Sequence, residues 1–256
     1  MFLDYDGTLA GFAPTPDVII SDPEVIDILT RLENHPQIQP AIISGRRLNH
    51  ILSLLPVPGV LLAGTYGIEL RTPDGKRVNR LDYTKIRPGL ELLKPRWEQI
   101  ISGQEGFYLE DKGWSLAIHA RFADGQAAAE ILSTARAAAG DGMDESLFRI
   151  MGKGKFLEVS PKLANKGAAI EYILERYPMG EELPVYIGDD DKDEEAFAVV
   201  NQLSGISIVV SENERETRAA LRLPAPAGVR EWLKDLPAVP RSKISGKLWY
   251  KPSELY

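Results

Sequence analysis

The chain has 256 residues, no cysteine, and 37 Asp+Glu against 30 Lys+Arg, a formal charge of −7. Without thiols there is no disulfide framework, thiolate-held zinc or iron–sulfur cluster, and an acidic surplus argues against a protein built to hold nucleic acid. No apolar run approaches the roughly 20 residues that cross a bilayer, and no basic-then-apolar leader opens the chain, so the expectation is a cytoplasmic protein without a membrane partner. Residues 1–4 form a short apolar run that stops at a carboxylate and turns at Gly7, which reads as a buried strand and a loop. Only three residues precede Asp4, which fits either an unusually short strand or a chain that extends upstream, and either a protein that works alone or part of a fusion. Ser21-Asp22-Pro23-Glu24 has capping-box spacing, and Val25, Ile28, Leu29 and Leu32 give a helix over 23–34 one apolar face. A strand over 38–43 runs into Ser44-Gly45-Arg46. Leu48, Ile51, Leu52 and Leu55 then mark a second helix, and 60–63 a third strand. Strands alternating with helices predict an α/β fold with a parallel sheet and helices on its faces.

The pattern changes in the middle. Leu90, Leu93, Trp97, Ile100 and Ile101 predict a helix near 87–101. Over 114–122, Trp114, Leu116, Ile118, Ala120 and Phe122 share one face, and Ser115, Ala117, His119 and Arg121 the other, as in a sheet with one covered and one open face. A helix over 126–139 and strands near 147–151 and 155–159 complete a smaller α+β insertion. The alternating style returns after Asn165-Lys166-Gly167, with helices at 167–177, 193–201 and 228–235 and strands at 184–188 and 205–210. The expected organisation is a core in two parts, 1–84 and 163–237, an insertion over 85–162, and a tail over 238–256.

Chemistry concentrates at the ends of the predicted strands. In Asp4-Tyr5-Asp6-Gly7-Thr8, two carboxylates leave a buried strand on one side, where open α/β sheets place ligands. One such group can attack phosphorus, and the other can protonate the leaving oxygen and later deprotonate water. Ser44 ends the second strand at the predicted start of a helix, suited to a phosphate oxygen together with Gly45, and Lys166 can neutralise it. A buried strand over 185–188 ends in Asp189-Asp190-Asp191-Lys192-Asp193. Asp4, Asp6, Asp189 and Asp193 would crowd together with a phosphate dianion, which requires a cation; hard oxygen ligands point to Mg2+.

In this order, Asp4-x-Asp6-Gly7-Thr8, Ser44, Lys166 and Gly188-Asp189-x-x-x-Asp193 resemble the four signature motifs of the haloacid dehalogenase superfamily. The resemblance implies a Rossmann-like core with Asp4 as nucleophile and Asp6 as general acid/base. It also implies magnesium held by Asp4, the Asp6 main-chain carbonyl and Asp189 with Asp193 assisting, phosphate on Ser44, Gly45 and Lys166, and a cap at the insertion. Gly64-x-Tyr66-Gly67-x-Glu69, Ser115-Leu116-Ala117-x-His119-x-Arg121, Leu157-Glu158-Val159-x-Pro161 and Asn165-Lys166-Gly167 extend the similarity to the trehalose-6-phosphate phosphatase family. Asp191-Lys192 departs from it, filling a stretch where that pattern leads one to expect a threonine.

The implied activity is hydrolysis of a small-molecule sugar phosphate, with no nucleic acid involved and an oligomeric state left open and compatible with a monomer. Sugar hydroxyls need donors and acceptors, and the candidates are Arg46 after the second strand, Glu69 with Arg71 on one side of a strand-like run, His119 and Arg121 on the open face, and Lys155 and Glu158 on the last insertion strand. Phosphatases for sucrose phosphate or a glycosyl-3-phosphoglycerate usually look like Gly-Asp-Ser-x-Asn-Asp in the fourth motif, unlike Gly188-Asp189-Asp190-x-x-Asp193-Glu194. A non-catalytic sugar-phosphate sensor would have lost the nucleophile, and Asp4 is in place.

Overall fold

A computed structural model describes residues 1–11, 20–177 and 183–236. The chain begins with β1 (Phe2–Leu3), α1 (Pro23–Asn34), β2 (Ala41–Ile43), α2 (Leu48–Leu54), β3 (Leu61–Gly64), β4 (Glu69–Arg71) and β5 (Arg77–Asn79). It continues with α3 (Tyr83–Ile101), β6 (Tyr108–Asp111), β7 (Leu116–His119), α4 (Gly125–Gly140), β8 (Phe148–Met151) and β9 (Phe156–Pro161). The last elements described are α5 (Lys166–Arg176), β10 (Val185–Gly188), α6 (Glu194–Gln202), β11 (Ile206–Val210), β12 (Leu221–Leu223) and α7 (Pro226–Lys234). The chain divides into two compact units, one holding Met1–Val78 and the described chain from Asn165, the other Asn79–Ala164. The tail expected over 238–256 lies outside the described residues.

The first unit carries an eight-stranded sheet in the order β12-β11-β10-β1-β2-β3-β4-β5. From β12 to β3 every pairing is parallel, and β4 turns back antiparallel on β3. Winding proceeds outward from β1 through β2 and β3, then restarts at β10, so the direction reverses between β1 and β10. Open α/β sheets bind ligands outside the carboxyl ends of the strands at such a point. The strands are short and apolar on both faces because both are covered. Leu3, Ile42, Leu62, Ile187 and Ile208 pack with Val25, Ile28 and Leu29 of α1 and Val229 of α7. Phe2, Ile43, Ala63, Tyr186 and Val209 face the other way, onto Ile170 and Ile173 of α5 and Phe197 and Val200 of α6.

Helix α1 starts where expected, with a different cap. The Asp22 carboxylate accepts from Glu24 N–H at 2.9 Å, and the Ser21 hydroxyl instead donates to the Ser53 carbonyl. Among the described residues no helix is long and apolar enough to cross a membrane.

The second unit is an antiparallel sheet in the order β6-β7-β9-β8, with α3 and α4 packed on it. Trp97 of α3 is fully buried, and its indole N–H donates to the Ala135 carbonyl of α4 at 2.8 Å. The alternation expected over 114–122 survives only across β7. Beyond His119 the chain turns, leaving Phe122 77% exposed, while Ser115 and Ala117 are buried on the face expected to be open.

Arg87 of α3 binds Asp111 of β6 through two hydrogen bonds of 2.7 and 2.9 Å. That pairing, helped by the Gly113 N–H and Lys94, holds the Asp111 carboxyl well below the usual range. Asp111→Asn is expected to destabilise the protein by about 1 kcal/mol at neutral pH, the upper end for an ion pair that solvent still reaches. A carboxyl with a lowered folded-state pKa stabilises above its unfolded value of about 4 and loses that contribution as pH falls below it. Urea unfolding at pH 7, 5 and 3 should therefore show the gap between wild type and variant closing at the acid end; a constant gap would contradict the ion pair.

Candidate active site

Asp4 directly follows β1, and its N–H donates to the Ile187 carbonyl of β10, so the carboxylate emerges at the reversal point of the sheet. The loop that follows passes close under Asp189. Gly7 has φ +83°, and a Cβ there would lie 2.1 Å from Asp189 Oδ2, so the turn needs glycine for both conformation and space. Thr8 Oγ1 donates to Asp189 Oδ1 at 3.1 Å, joining the loops after β1 and β10. Lys166 opens α5, which the Asn165 side chain caps. Its buried ammonium is 2.8 Å from Asp4 Oδ1 and 2.5 Å from Asp193 Oδ1. Asp193 is itself fully buried. Its Oδ1 also accepts from Tyr186 Oη at 2.5 Å, and its Oδ2 from the N–H groups of Asp189 and Asp190 at 2.8 Å each.

Burial raises the Asp4 carboxyl well above the ordinary value, Asp193 and Asp189 add to the rise, and Lys166 opposes it. Burial and then Asp193 push Asp189 up to about 6. Burial works to lower Lys166, but Asp193 and Asp4 outweigh it and hold the ammonium well above its usual pKa. The site is thus an acidic group with one buried cation. Oxygens of Asp4, Asp189 and Asp193 lie within 4.8 Å of one another, and such a set of hard donors fits a divalent cation. Asp4 and Asp189 are the members able to hold it directly. Four hydrogen bonds already use the acceptor positions of Asp193, so that residue fixes the loop and Lys166.

The loop that carries Ser44, Gly45 and Arg46 follows β2. Ser44 is buried, and its hydroxyl accepts from Arg46 N–H at 3.1 Å. Arg46 Nε and an Nη each reach Asp6 at 2.7 Å, in a bidentate pair.

In the second unit, one face of the sheet gathers buried polar groups. Lys112 Nζ and Ser115 Oγ each donate to Glu158 Oε1 at 3.0 Å, and His119 Nε2 is 2.9 Å from Glu110 Oε2. Burial acts to raise the Glu110 carboxyl, but the His119 hydrogen bond and the Lys112 charge bring it below the usual value.

A family model described as trehalose-phosphatase matches residues 2–227. The chain belongs to the trehalose-phosphatase family. It is 31% identical over 245 residues to a trehalose-phosphate phosphatase of Mycobacterium avium, covering 92% of this chain and 61% of that protein, so it spans about three-fifths of that relative's length. It is 29% identical over 248 residues to the probable trehalose-phosphate phosphatase C of Arabidopsis thaliana, covering 92% and 76%. The solved structure of the Candida albicans trehalose-6-phosphate phosphatase C-terminal domain shares its fold, with a TM-score of 0.78 at 22% identity, 91% of this chain and 89% of that one being covered.

In this trehalose-phosphatase family member, Asp4, Lys166, Asp189 and Asp193 come together, with Ser44 and Gly45 on the neighbouring strand end. Four expectations about placement need correction. Helix α2 begins only at Leu48, so Ser44 lies in a loop four residues ahead of it. Glu69 and Arg71 do share a side of β4, but that side is packed against the chain around α2 and β3. Glu69 accepts from Leu48 N–H and Thr65 Oγ1, and Arg71 donates to the carbonyls of Val57 and Val60. Arg121 stands in the turn after β7, exposed to solvent. Lys155 precedes β9 and donates to the Ala123 carbonyl. Of the sugar candidates in the second unit only His119 and Glu158 join the polar group.

Glu110 and Lys112 complete that group and were missed, although Tyr108, Glu110 and Lys112 alternate at strand spacing. Tyr186 reads as core from sequence. Arg215, which donates to the Asp189 carbonyl at 2.5 Å and to Asp191 and Glu194, has no local signal at all.

Proposed function

We propose that this protein is a cytoplasmic, magnesium-dependent phosphatase that hydrolyses trehalose 6-phosphate to trehalose and inorganic phosphate through a phosphoryl–Asp4 intermediate. The observation that carries the reading is Asp4 itself: a buried carboxylate at the end of β1, facing the Lys166 ammonium at 2.8 Å with Asp189 beside it, in a chain of the trehalose-phosphatase family. Asp4 attacks phosphorus; its oxygen bonds to phosphorus as the bond from phosphorus to the sugar oxygen breaks. The electron pair leaves with that oxygen, which takes a proton from Asp6. Asp6 then removes a proton from water, whose oxygen bonds to phosphorus as the bond to Asp4 breaks. Arg46 occupies both carboxylate oxygens of Asp6 in this geometry, so proton transfer by Asp6 requires that pair to open.

Lys166 offsets charge on Asp4 and the phosphoryl oxygens, and the Ser44 hydroxyl with the N–H groups of its loop binds them. Magnesium, held by Asp4, Asp189 and, as the superfamily resemblance implies, the Asp6 main-chain carbonyl, supplies charge neutralisation and orientation of the phosphoryl group when bound. Glu110, Lys112, His119 and Glu158 offer the mixture of acceptors and donors that sugar hydroxyls require.

The test is phosphate release with magnesium from trehalose 6-phosphate, sucrose 6-phosphate, glucose 6-phosphate, a glycosyl-3-phosphoglycerate and p-nitrophenyl phosphate. Strong preference for the first is expected; turnover of another sugar phosphate with none of trehalose 6-phosphate would remove the substrate assignment. Glu158→Gln should lower kcat/KM for trehalose 6-phosphate by about 30-fold, the cost of an unmet buried hydrogen bond to substrate. The same variant should turn over p-nitrophenyl phosphate at the wild-type rate, and equal losses on both substrates would make Glu158 a purely structural group.

A further inference from the structure

The turn joining β3 to β4 has a strained backbone. Thr65 has φ +48° and Tyr66 φ +53°, followed by Gly67 at φ +90°. Left-handed backbone is costly for a non-glycine residue and most costly for a β-branched one such as threonine. Two hydrogen bonds hold this turn in place. Thr65 N–H donates to the Arg46 carbonyl at 2.7 Å and Tyr66 N–H to the Ser44 carbonyl at 2.8 Å, so both acceptors belong to the loop after β2. The outcome is a buried tyrosine ring packed on Gly45: a Cβ at that glycine would lie 2.6 Å from Tyr66 Cε1 and 2.7 Å from Oη.

The same ring is reached from the far side of the strand ends. Lys192, in the acidic loop after β10, donates to Tyr66 Oη at 2.5 Å and holds its ammonium 4.7 Å from the ring centroid. In the sheet β10 and β3 are separated by β1 and β2, so this contact crosses the mouth of the site above Asp4. Lys192 stands in the stretch that departs from the family pattern, and nothing in the hydrolysis of a phosphate ester, as derived above, uses it.

We propose that Tyr66 and Lys192 form a clamp that fixes the spacing between the Ser44–Arg46 loop and the Asp189–Asp193 loop, making both of them positioning residues for the phosphoryl group. A hydrogen bond and a cation–π contact act on one pair of side chains, and the strained turn gives the tyrosine a single seat. Groups that must meet a phosphoryl group from two sides lose binding steeply when the sides drift apart by an ångström. The inference rests on the phosphatase reading, because a phosphoryl group is what the spacing serves.

The experiment measures inorganic phosphate binding by calorimetry in magnesium buffer, alongside KM and kcat for p-nitrophenyl phosphate and the thermal midpoint. Wild type is compared with Lys192→Met, Tyr66→Phe, the double variant and Lys192→Arg. Lys192→Met should weaken phosphate binding about tenfold and Tyr66→Phe about threefold, with the double variant no weaker than Lys192→Met alone, as expected for one shared interaction. Lys192→Arg, which keeps both the donor and the stacking, should recover to within about threefold of wild type.

If Lys192 simply touched phosphate, Tyr66→Phe would leave binding unchanged, and that result overturns the clamp. Losses that multiply in the double variant also overturn it, as does a fall in thermal midpoint with phosphate binding intact. A wild-type protein that neither binds phosphate nor releases it from any ester would overturn the phosphatase reading, and the clamp with it.

Discussion

Asparagine in place of Asp4 is expected to lower phosphate release from trehalose 6-phosphate by at least about 10⁴-fold, the scale seen when a nucleophile is removed from an enzyme. An amide oxygen has the size and position of the carboxylate oxygen but cannot carry a phosphoryl group through the same pair of displacements. The fold should survive. The Asp4 N–H to Ile187 hydrogen bond belongs to the main chain, and Lys166 keeps its 2.5 Å contact with Asp193. Because burial makes the Asp4 charge unfavourable in the first place, a neutral side chain there relieves repulsion with Asp189 and Asp193. Phosphate release and a thermal melt on the same preparation decide the matter. Retention of a tenth of wild-type activity in a folded variant would put the nucleophile elsewhere.

Lys166→Met should damage both stability and turnover. The ammonium is buried between Asp4 and Asp193, and removing one partner of a buried ionic group leaves charge without compensation, at a cost of about 3–5 kcal/mol. Turnover should fall by about 10³-fold, as for loss of one preorganised charge at a reacting centre. The signature that separates this from ordinary core damage is rescue. Millimolar magnesium supplies positive charge beside the same carboxylates, so it should raise the unfolding midpoint of Lys166→Met by more than that of wild type. Equal shifts in the two proteins would mean that magnesium and Lys166 do not share those carboxylates.

Much of this was legible in the sequence, and the pattern of what was not is instructive. Asp4, Ser44, Lys166 and Asp189 could be found because each stands at the end of a strand or the start of a helix, and parallel strands of one sheet put such ends together. Glu69 and Arg71 were placed correctly on one side of β4, yet alternation reports the side and says nothing about what covers it. There the neighbouring loops do, and their carbonyl and N–H groups take up both side chains. Arg121 and Lys155 were placed on strands that stop short of them: β7 ends at His119, two residues before Arg121, and β9 begins at Phe156, one residue after Lys155. The Arg46–Asp6 pair joins residues distant in sequence, and no spacing rule announces it. Tyr186 shows the opposite case: an aromatic residue on a buried strand reads as core, and its hydroxyl proves to be one of four donors that fix Asp193.

The placement of β1 has a consequence in time. Two residues long, it lies between β2 and β10, and Asp4 is seated only when its N–H meets the Ile187 carbonyl. The ribosome therefore makes Asp4 well before Lys166 and the strand from Val185 that surround it. Until Lys166 and the strand from Val185 have emerged, a growing chain carries an aspartate like any other, with neither the ammonium nor the second carboxylate that stand beside it in the folded protein. The site is assembled only by completion of the sheet, and a chain interrupted before that strand leaves β1 paired on one side alone, with β2.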